Sequence, residues 1–368
     1  MAGEKEVKVK AEKLADPIEA SVDGATQMMI ERAHELHIET VFDRAVTMKQ
    51  CNIGVQGTCC KNCGMGPCRL PLPKSGLEGE DTRKGLCGAS PNTIAARNFI
   101  RMIAGGAAAH SDHGRGVAEV FRNVARKENQ DYRIKDYNKL LAIAPYLGVA
   151  TTVEVDGETL DRDLDEVALE VAEKAIDEWG KNEGELLYLK RAPQPLYEKW
   201  EKNGVLPRNI DREIVEIMHR THIGVDQDYK NLMRQGTRAA IADGWGGSML
   251  ATDLQDVLFG TPYPLQSEAN LGVMKADHVN LVIHGHEPIL SEMIVAVAQS
   301  PEMQAYAKSK GASGIQLAGI CCTANEVLQR HGVPLCGTFL QQELAIITGA
   351  CDAMVVDIQC IFQNVANV

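Results

Sequence analysis

Six cysteines lie close together in the first quarter of the chain, and two of them are adjacent. The stretch CNIGVQGTCCKNCGMGPC covers residues 51–68, and the glycines and the proline within it predict a loop. Thiolates gathered in a loop are suited to metal binding or redox chemistry. The six residues are Cys51, Cys59, Cys60, Cys63, Cys68 and Cys87.

Three kinds of chemistry could use these sulfurs. Disulfides are disfavoured because the N-terminus has no secretory leader, and disulfides are rare in reducing compartments. Structural zinc sites commonly use two C-x2-C pairs, whereas this block has one, Cys60 to Cys63. An iron–sulfur cluster takes cysteines from a glycine-rich loop together with a more distant one. The spacing therefore favours iron–sulfur chemistry.

The adjacent pair indicates two clusters. Side chains of neighbouring residues point apart, so Cys59 and Cys60 are expected to face different clusters. Cys60 together with the three later cysteines of the block makes a full set of four. Cys51 and Cys59 make half a set, which two copies of the chain would complete across a two-fold axis. The pattern predicts a homodimer with a shared cluster. The alternative is that Cys51 and Cys59 are buried or form a redox pair.

The fold class is predicted to be mixed, with an all-helical part followed by an α/β part. Residues 1–16 look like a solvated arm, and helices are expected within 17–49, from Ser90 onwards, and near 116–128, 161–180, 209–222 and 226–243. After the proline-rich break TPYPLQ, strands alternate with helices, which predicts a doubly wound, Rossmann-like parallel sheet. We expect a helical iron–sulfur domain over 1–266 and an incomplete α/β domain over 267–368.

Three predicted strands end in metal-binding residue types. The first, within 278–286, ends in His284 and His286, the second ends in Cys321 and Cys322, and the third ends in Cys360. Ligands of open parallel sheets lie outside the carboxyl ends of the strands, so these tips predict a metal site. The two remaining cysteines are interpreted as packing residues, namely Cys336 and Cys351.

A histidine pair lies near the expected C-terminus of the helix that starts at Ser90. His110 and His113 are three residues apart, a spacing that suits a proton relay because the ordinary histidine pKa is near neutral. The same pair could instead stabilise a helix C-terminus through the helix dipole. The other paired histidines are interpreted as structural, namely His34, His37, His219 and His222.

Bulk composition narrows the class of partner. The 368 residues carry a net charge of −12, which disfavours nucleic acid and anionic membrane surfaces as partners. No apolar run is long enough to span a bilayer, and the charged N-terminus is unlike a signal peptide. These features predict a cytoplasmic location.

Several of these motifs together resemble one family. The cysteine block, RNFIRMIAGGAAAHSDHGR, ADGWGGSMLATDLQDVLFGTP, VIHGHEPILSE, AGICCTANEVL and DAMVVDIQC are similar to the catalytic subunit of anaerobic nickel–iron–sulfur carbon monoxide dehydrogenase. The similarity covers nearly the whole chain from about residue 17. It implies a homodimer that interconverts CO and water with CO2, two protons and two electrons.

The resemblance also implies roles for individual residues. The set of four cysteines matches the ligands of a [4Fe-4S] cluster, and Cys51 and Cys59 match those of a cluster shared by two subunits, for which [4Fe-4S] is favoured over [2Fe-2S]. His286, Cys322 and Cys360 match three ligands of the Ni-Fe-S catalytic cluster. His110 matches a residue that stabilises or deprotonates the reaction intermediate. His113 matches the next residue of a proton path. Gly116 and Glu119 stand where the family often has further histidines, so the path is expected to be shorter or to use Glu119.

The family's members are longer than this chain. Their second α/β domain carries the remaining cysteine ligands, so activity is expected only for a full-length protein, and these 368 residues are interpreted as a fragment or a truncated form. Implied partners are a ferredoxin-like electron acceptor and, as a further candidate, an acetyl-CoA synthase subunit. The alternatives are a hybrid-cluster-type hydroxylamine reductase and a non-catalytic electron-transfer or scaffold protein.

Overall fold

The computed structural model of the chain describes residues 16–49, 51–73, 76, 81–223 and 225–368. The predicted N-terminal arm therefore lies outside the described residues, apart from its last position. The helices are, in chain order, α1 (Gly24–Glu35), α2 (Val41–Thr47), α3 (Asn52–Val55), α4 (Pro91–Ala125), α5 (Tyr137–Ile143), α6 (Leu164–Gly180), α7 (Gln194–Lys202), α8 (Ile210–Arg220), α9 (Tyr229–Ala242), α10 (Met249–Phe259), α11 (Pro288–Ala298), α12 (Pro301–Ser309), α13 (Cys321–His331) and α14 (Gln342–Ile347).

The strands of the described residues form three small sheets. Two antiparallel pairs lie in the first part of the chain, and a four-stranded parallel sheet lies in the last part. The strands are β1 (Cys59–Cys60), β2 (Cys68–Arg69), β3 (Thr152–Val155), β4 (Glu158–Asp161), β5 (Val279–Gly285), β6 (Ile315–Ile320), β7 (Leu335–Gly337) and β8 (Ala353–Val356).

The chain divides into two compact units. The first unit contains the described residues between 51 and 260. The second contains residues 16–49 together with 261–368. This grouping differs from a single boundary after residue 266, because α1 and α2 pack into the hydrophobic core of the sheet. Ile30 and Phe42 are buried there against Val282 and Leu344.

The helical unit is arranged around α4, a single helix of 35 residues. It begins where the sequence predicts, at Ser90, whose side chain accepts a hydrogen bond from the backbone N–H of Thr93. The prediction of a separate helix near 116–128 is wrong, because α4 continues through the glycines to Ala125. Its buried apolar face includes Ile100, Val117 and Phe121. Helices α6, α8, α9 and α10 all pack against α4.

The segment DGWGGS, where α9 was expected to end, is a π-helical turn over Asp243–Ser248 that leads directly into α10. Its glycines permit close packing. A Cβ on Gly246 would lie 2.5 Å from Cγ1 of Ile210, and one on Gly247 would lie 3.3 Å from Cβ of His110. The glycines therefore form a packing contact instead of a loop.

The parallel sheet has the strand order β7-β6-β5-β8. From β5 the chain builds outward through β6 and β7 and then returns to the other side of β5 with β8. Apolar side chains are buried on both faces, with Val282 in one cluster and Ile283 in the other. The parallel sheet predicted from the sequence is confirmed. Sequence analysis missed β7, which contains Cys336, and this residue is buried as expected of a packing residue.

Candidate iron–sulfur and metal sites

Four of the six clustered cysteines line one cavity in the helical unit. The cavity lies between the β1–β2 pair, the loop before α4 and the first turns of α4. Its lining residues include Arg97. The four cysteines are Cys60, Cys63, Cys68 and Cys87.

The adjacent cysteines differ in their surroundings. Cys60 is 7% exposed and belongs to a small core with Ala89 and Ile94, whereas Cys59 is half-buried and does not line the cavity. The reason is local, because successive side chains of a strand point to opposite faces, and both residues lie in β1. The geometry separates Cys59 from the four sulfurs of the cavity.

Cys51 is an exposed residue immediately before α3. Backbone N–H groups of Gly54 and Ile53 point at its sulfur and lower the pKa of the thiol. A helix N-terminus favours an anion in this way, so Cys51 is prepared to act as a thiolate ligand. The loop that carries Cys59 is held to α4 by Asn98, whose amide nitrogen donates to the carbonyls of Gly57 at 2.8 Å and Cys59 at 2.9 Å.

The pKa of Cys87 results from opposing effects. Burial alone would raise it, but the backbone N–H of Ala89 and the guanidinium of Arg97 favour the thiolate, and the net effect is a lowered pKa. Arg97 donates from Nη1 to Sγ of Cys87 at 3.8 Å. Four thiols that line one cavity, one of them already biased towards the thiolate, are a donor set that fits a [4Fe-4S] cluster.

The three predicted strand tips lie side by side in the α/β unit. His284 pairs in parallel register with Ile320 of β6 and with Val356 of β8, and an isolated bridge joins Gly285 to Cys321. The residues that follow these positions therefore leave the sheet at one edge. They include His286, which is 5% exposed, Cys322, which is half-buried, and Cys360, which is exposed.

One carboxylate connects all three tips. Asp357, just after β8, accepts hydrogen bonds from the backbone N–H of His286 at 2.7 Å and of Glu287 at 2.8 Å. It also accepts one from the hydroxyl of Thr323 at 3.2 Å, next to Cys322. Asp357 is not predicted from the sequence as a site residue, although a charged residue directly after the apolar run AMVV is an unusual feature.

A second polar residue fixes the segment that carries Cys360. The buried amide of Gln342 donates from Nε2 to the carbonyl of Cys360 at 2.9 Å and accepts at Oε1 from the N–H of Phe362, also at 2.9 Å. Nε2 of His284 lies 3.0 Å from the same oxygen. Gln342 thus ties the end of β5 to the segment after β8.

The sulfurs at this edge influence one another. Burial, followed by the proximity of Cys360 and Cys322, raises the pKa of Cys321 to about 12. Burial also raises the pKa of Cys322. Cys321 and Cys360 have φ angles of 66° and 57°, a left-handed backbone that costs free energy in residues other than glycine. Within the described part of the chain, no three His, Cys, Asp or Glu side chains converge on a single ion. A metal cluster does not need such a group, because each of its ligands binds a different metal atom.

The histidine pair lies on α4 with each ring in a different environment. His110 is half-buried, and its Nδ1 lies 2.8 Å from Oδ1 of Asp243 and 3.2 Å from the hydroxyl of Ser248. This contact with Asp243 raises the pKa of His110 despite its partial burial. His113 is buried, with Nε2 3.1 Å from the amide nitrogen of Gln255. The sequence does not single out Asp243, because it lies at the end of the helix expected near 226–243.

Comparison with known protein families gives a match over most of the chain. The model of the Prismane/CO dehydrogenase family matches residues 58–368. The chain belongs to the Prismane/CO dehydrogenase family. The described residues include no helix that is both long enough and apolar enough to cross a bilayer.

Individual relatives are similar over almost the entire chain. Carbon monoxide dehydrogenase 1 of Methanosarcina acetivorans is 52% identical over 351 residues, which are 95% of this chain and 54% of that protein. Ni-free carbon monoxide dehydrogenase from Thermococcus sp. AM4 superposes with a TM-score of 0.87 at 50% identity, covering 96% of this chain and 55% of that one.

A second solved structure is an acetyl-CoA synthase/carbon monoxide dehydrogenase with NiZn[Fe4S4] and NiNi[Fe4S4] clusters in its alpha subunits. It superposes with a TM-score of 0.86 at 42% identity, and the match covers 98% of this chain and 52% of that one. The chain therefore spans about half the length of the relatives it matches.

Proposed function

We propose that this chain is the cluster-binding part of a carbon monoxide dehydrogenase, which oxidises CO with water to CO2, two protons and two electrons, reversibly. The observation that carries the proposal is the division of the cysteine block. Four of its thiols line one cavity, while Cys51 and Cys59 lie outside that lining. Such a division matches one private [4Fe-4S] cluster and one shared cluster.

The two units supply different groups. The four cavity cysteines would hold a [4Fe-4S] cluster, and His286, Cys322 and Cys360 would hold part of a Ni-Fe-S cluster at the sheet edge. When bound, that Ni-Fe-S cluster supplies the two-electron chemistry on CO and activates water. The family resemblance assigns its remaining ligands to the second α/β domain of longer members.

The residues of this chain contribute ligand placement and proton handling. Asp357 and Gln342 fix the backbone on either side of the three proposed ligands, so their side chains start from defined positions. His110 carries a proton more readily than an ordinary histidine because Asp243 holds Nδ1. We assign it to accept and pass on protons of the reaction, with His113 as the next group on α4.

The proposed dimer interface surrounds the half-set of cysteines. Asn98 lies on the face of α4 that holds the Cys59 loop, and Phe99 and Met102 are exposed one and four residues further along. Exposed apolar side chains that follow Asn98, the residue that holds the Cys59 loop, favour a second copy of the chain as the partner. A ferredoxin-like protein is the proposed electron acceptor, and an acetyl-CoA synthase subunit is a further candidate partner.

The proposal is tested on protein purified without oxygen from nickel- and iron-supplied cells, at the length at which its source makes it. We expect CO-dependent reduction of a viologen dye in the wild type and its loss, together with nickel, in His286→Ala. His278→Ala is the matched control, since this histidine precedes β5 and contacts Asp277. It should keep both nickel and activity.

Two other results would contradict the proposal, and each would favour a different function. Clusters visible by electron paramagnetic resonance without any CO-dependent dye reduction would favour an electron-transfer or scaffold protein. Hydroxylamine reduction without bound nickel would favour the hybrid-cluster type.

A further inference from the structure

The cavity of the four cysteines contains a buried positive charge. Arg97, on the second turn of α4, is 1% exposed and is the largest fully buried side chain of the described residues. Among the described residues it has two hydrogen-bond partners. Its Nη2 donates to the carbonyl of Asp226 at 3.3 Å, and its Nη1 donates to Sγ of Cys87 at 3.8 Å.

In the part of the chain that the structure describes, no carboxylate pairs with this guanidinium. Among the described residues none forms an ion pair with Arg97, and its buried Nε has no hydrogen-bond partner. Asp226 meets Arg97 through its backbone carbonyl, whereas its carboxylate pairs with Arg220 at 3.3 Å. A buried unpaired charge is strongly unfavourable, so the cavity requires an anion.

A cluster on four thiolates is such an anion. We propose that Arg97 is a positioning and potential-setting residue for the [4Fe-4S] cluster of Cys60, Cys63, Cys68 and Cys87, donating hydrogen bonds to its sulfurs and raising its reduction potential. This inference depends on the proposed function, in which those four cysteines hold the cluster. Reduction adds one electron and hence one negative charge without breaking a bond, so a fixed positive charge nearby stabilises the reduced form more than the oxidised form.

The test uses anaerobically purified protein carrying its clusters. The relevant signal is first identified as the one that Cys63→Ala removes, and its midpoint potential is then measured by redox titration followed by electron paramagnetic resonance. Arg97→Gln removes the charge but keeps donors, whereas Arg97→Lys keeps the charge. Arg101→Gln is the matched control, since Arg101 lies one turn further along α4 and bonds to the hydroxyl of Thr221 at 2.7 Å.

We expect Arg97→Gln to make the cluster harder to reduce by at least tenfold in the reduction equilibrium constant, which is 59 mV for one electron. Arg97→Lys should shift the potential less, and Arg101→Gln should leave it unchanged. An Arg97→Gln potential equal to that of the wild type would overturn the inference while leaving the proposed function intact. A wild type without iron at these cysteines would overturn both.

A second measurement guards against variants that fail to assemble the cluster. The melting temperature of the protein freed of iron should rise in Arg97→Met, because the unpaired charge is removed, and iron retention of the same variant should fall. A melting temperature that falls equally with and without iron would make Arg97 a packing residue and would sink the proposal.

Discussion

The carboxylate of Asp357 occupies the space that a side chain on Gly285 would need. A Cβ built on Gly285 would lie 1.5 Å from Oδ1 of Asp357, and the residue has a φ of +143°. Only glycine fits there, and its missing side chain lets the carboxylate reach the backbone of His286. The glycine of the HGH motif thus serves the carboxylate that connects the strand tips.

The first prediction concerns Gly285→Ala. We expect destabilisation from two sources, roughly 1–3 kcal/mol from the backbone angle and roughly 1–3 kcal/mol from overpacking against Asp357. Thermal or urea unfolding measures the total. Gly311→Ala is the matched control, because Gly311 has a φ of +98° but open space around it, so it isolates the backbone contribution. Equal losses in the two variants would show that the contact with Asp357 is unimportant.

The second prediction separates the two proposed iron–sulfur clusters. Asn98→Ala removes both hydrogen bonds to the Cys59 loop, each worth about 0.5–1.5 kcal/mol, but touches none of the four cavity cysteines. We expect loss of the shared cluster and of the dimer, with the private cluster retained. Iron per chain and light scattering after size exclusion measure these effects. Asn123→Ala, at the other end of α4, should change neither quantity, and simultaneous loss of both clusters in Asn98→Ala would contradict the division.

The third prediction follows from the raised pKa of His110. A histidine that binds its proton more tightly in the folded state stabilises that state below its unfolded pKa of 6.5, and the contribution disappears as pH rises through the folded pKa. Asp243→Asn keeps an oxygen acceptor but removes the charge. The free energy of unfolding that it costs should therefore be largest below pH 6.5 and should shrink at higher pH.

Urea unfolding of wild type and Asp243→Asn between pH 5 and pH 9 measures this difference. Asp112→Asn removes the same charge from an exposed position on α4, where the carboxylate pairs with Arg115, and its cost should stay flat over this range. A flat cost for Asp243→Asn as well would show that Asp243 does not hold the proton on His110.

The fourth prediction concerns the crossing of α4 and the π-helical turn. A Cβ on Gly114 would lie 2.8 Å from the carbonyl oxygen of Gly247 and 2.9 Å from the ring of Trp179. Gly114→Ala should therefore destabilise the protein by about 1–3 kcal/mol. Gly116→Ala, two residues along the same helix with nothing within 4 Å, should instead stabilise it by about 0.5–1 kcal/mol. Thermal unfolding of both variants measures the difference, and a Gly114→Ala variant as stable as Gly116→Ala would contradict the close crossing.

The sequence alone was enough to predict the alternation of strands and helices and the side-by-side position of the three strand tips. Both depend on local periodicity and on the general geometry of parallel sheets. It also predicted that Cys59 and Cys60 face different ways, because side-chain direction alternates along any extended segment. The start of α4 at Ser90 followed from cap chemistry that lies within four residues.

Tertiary structure decided which polar groups surround these positions. Arg97 is ten residues from Cys87, Asp243 is more than a hundred from His110, and Asp357 is about seventy from His286. Spacing along the chain says nothing about such pairs, since they depend on how helices and strands pack. Tertiary structure also decided that α4 is continuous and that the π-helical turn replaces a loop. In both places, buried contacts with neighbouring helices overrode the local preference of glycine for loops.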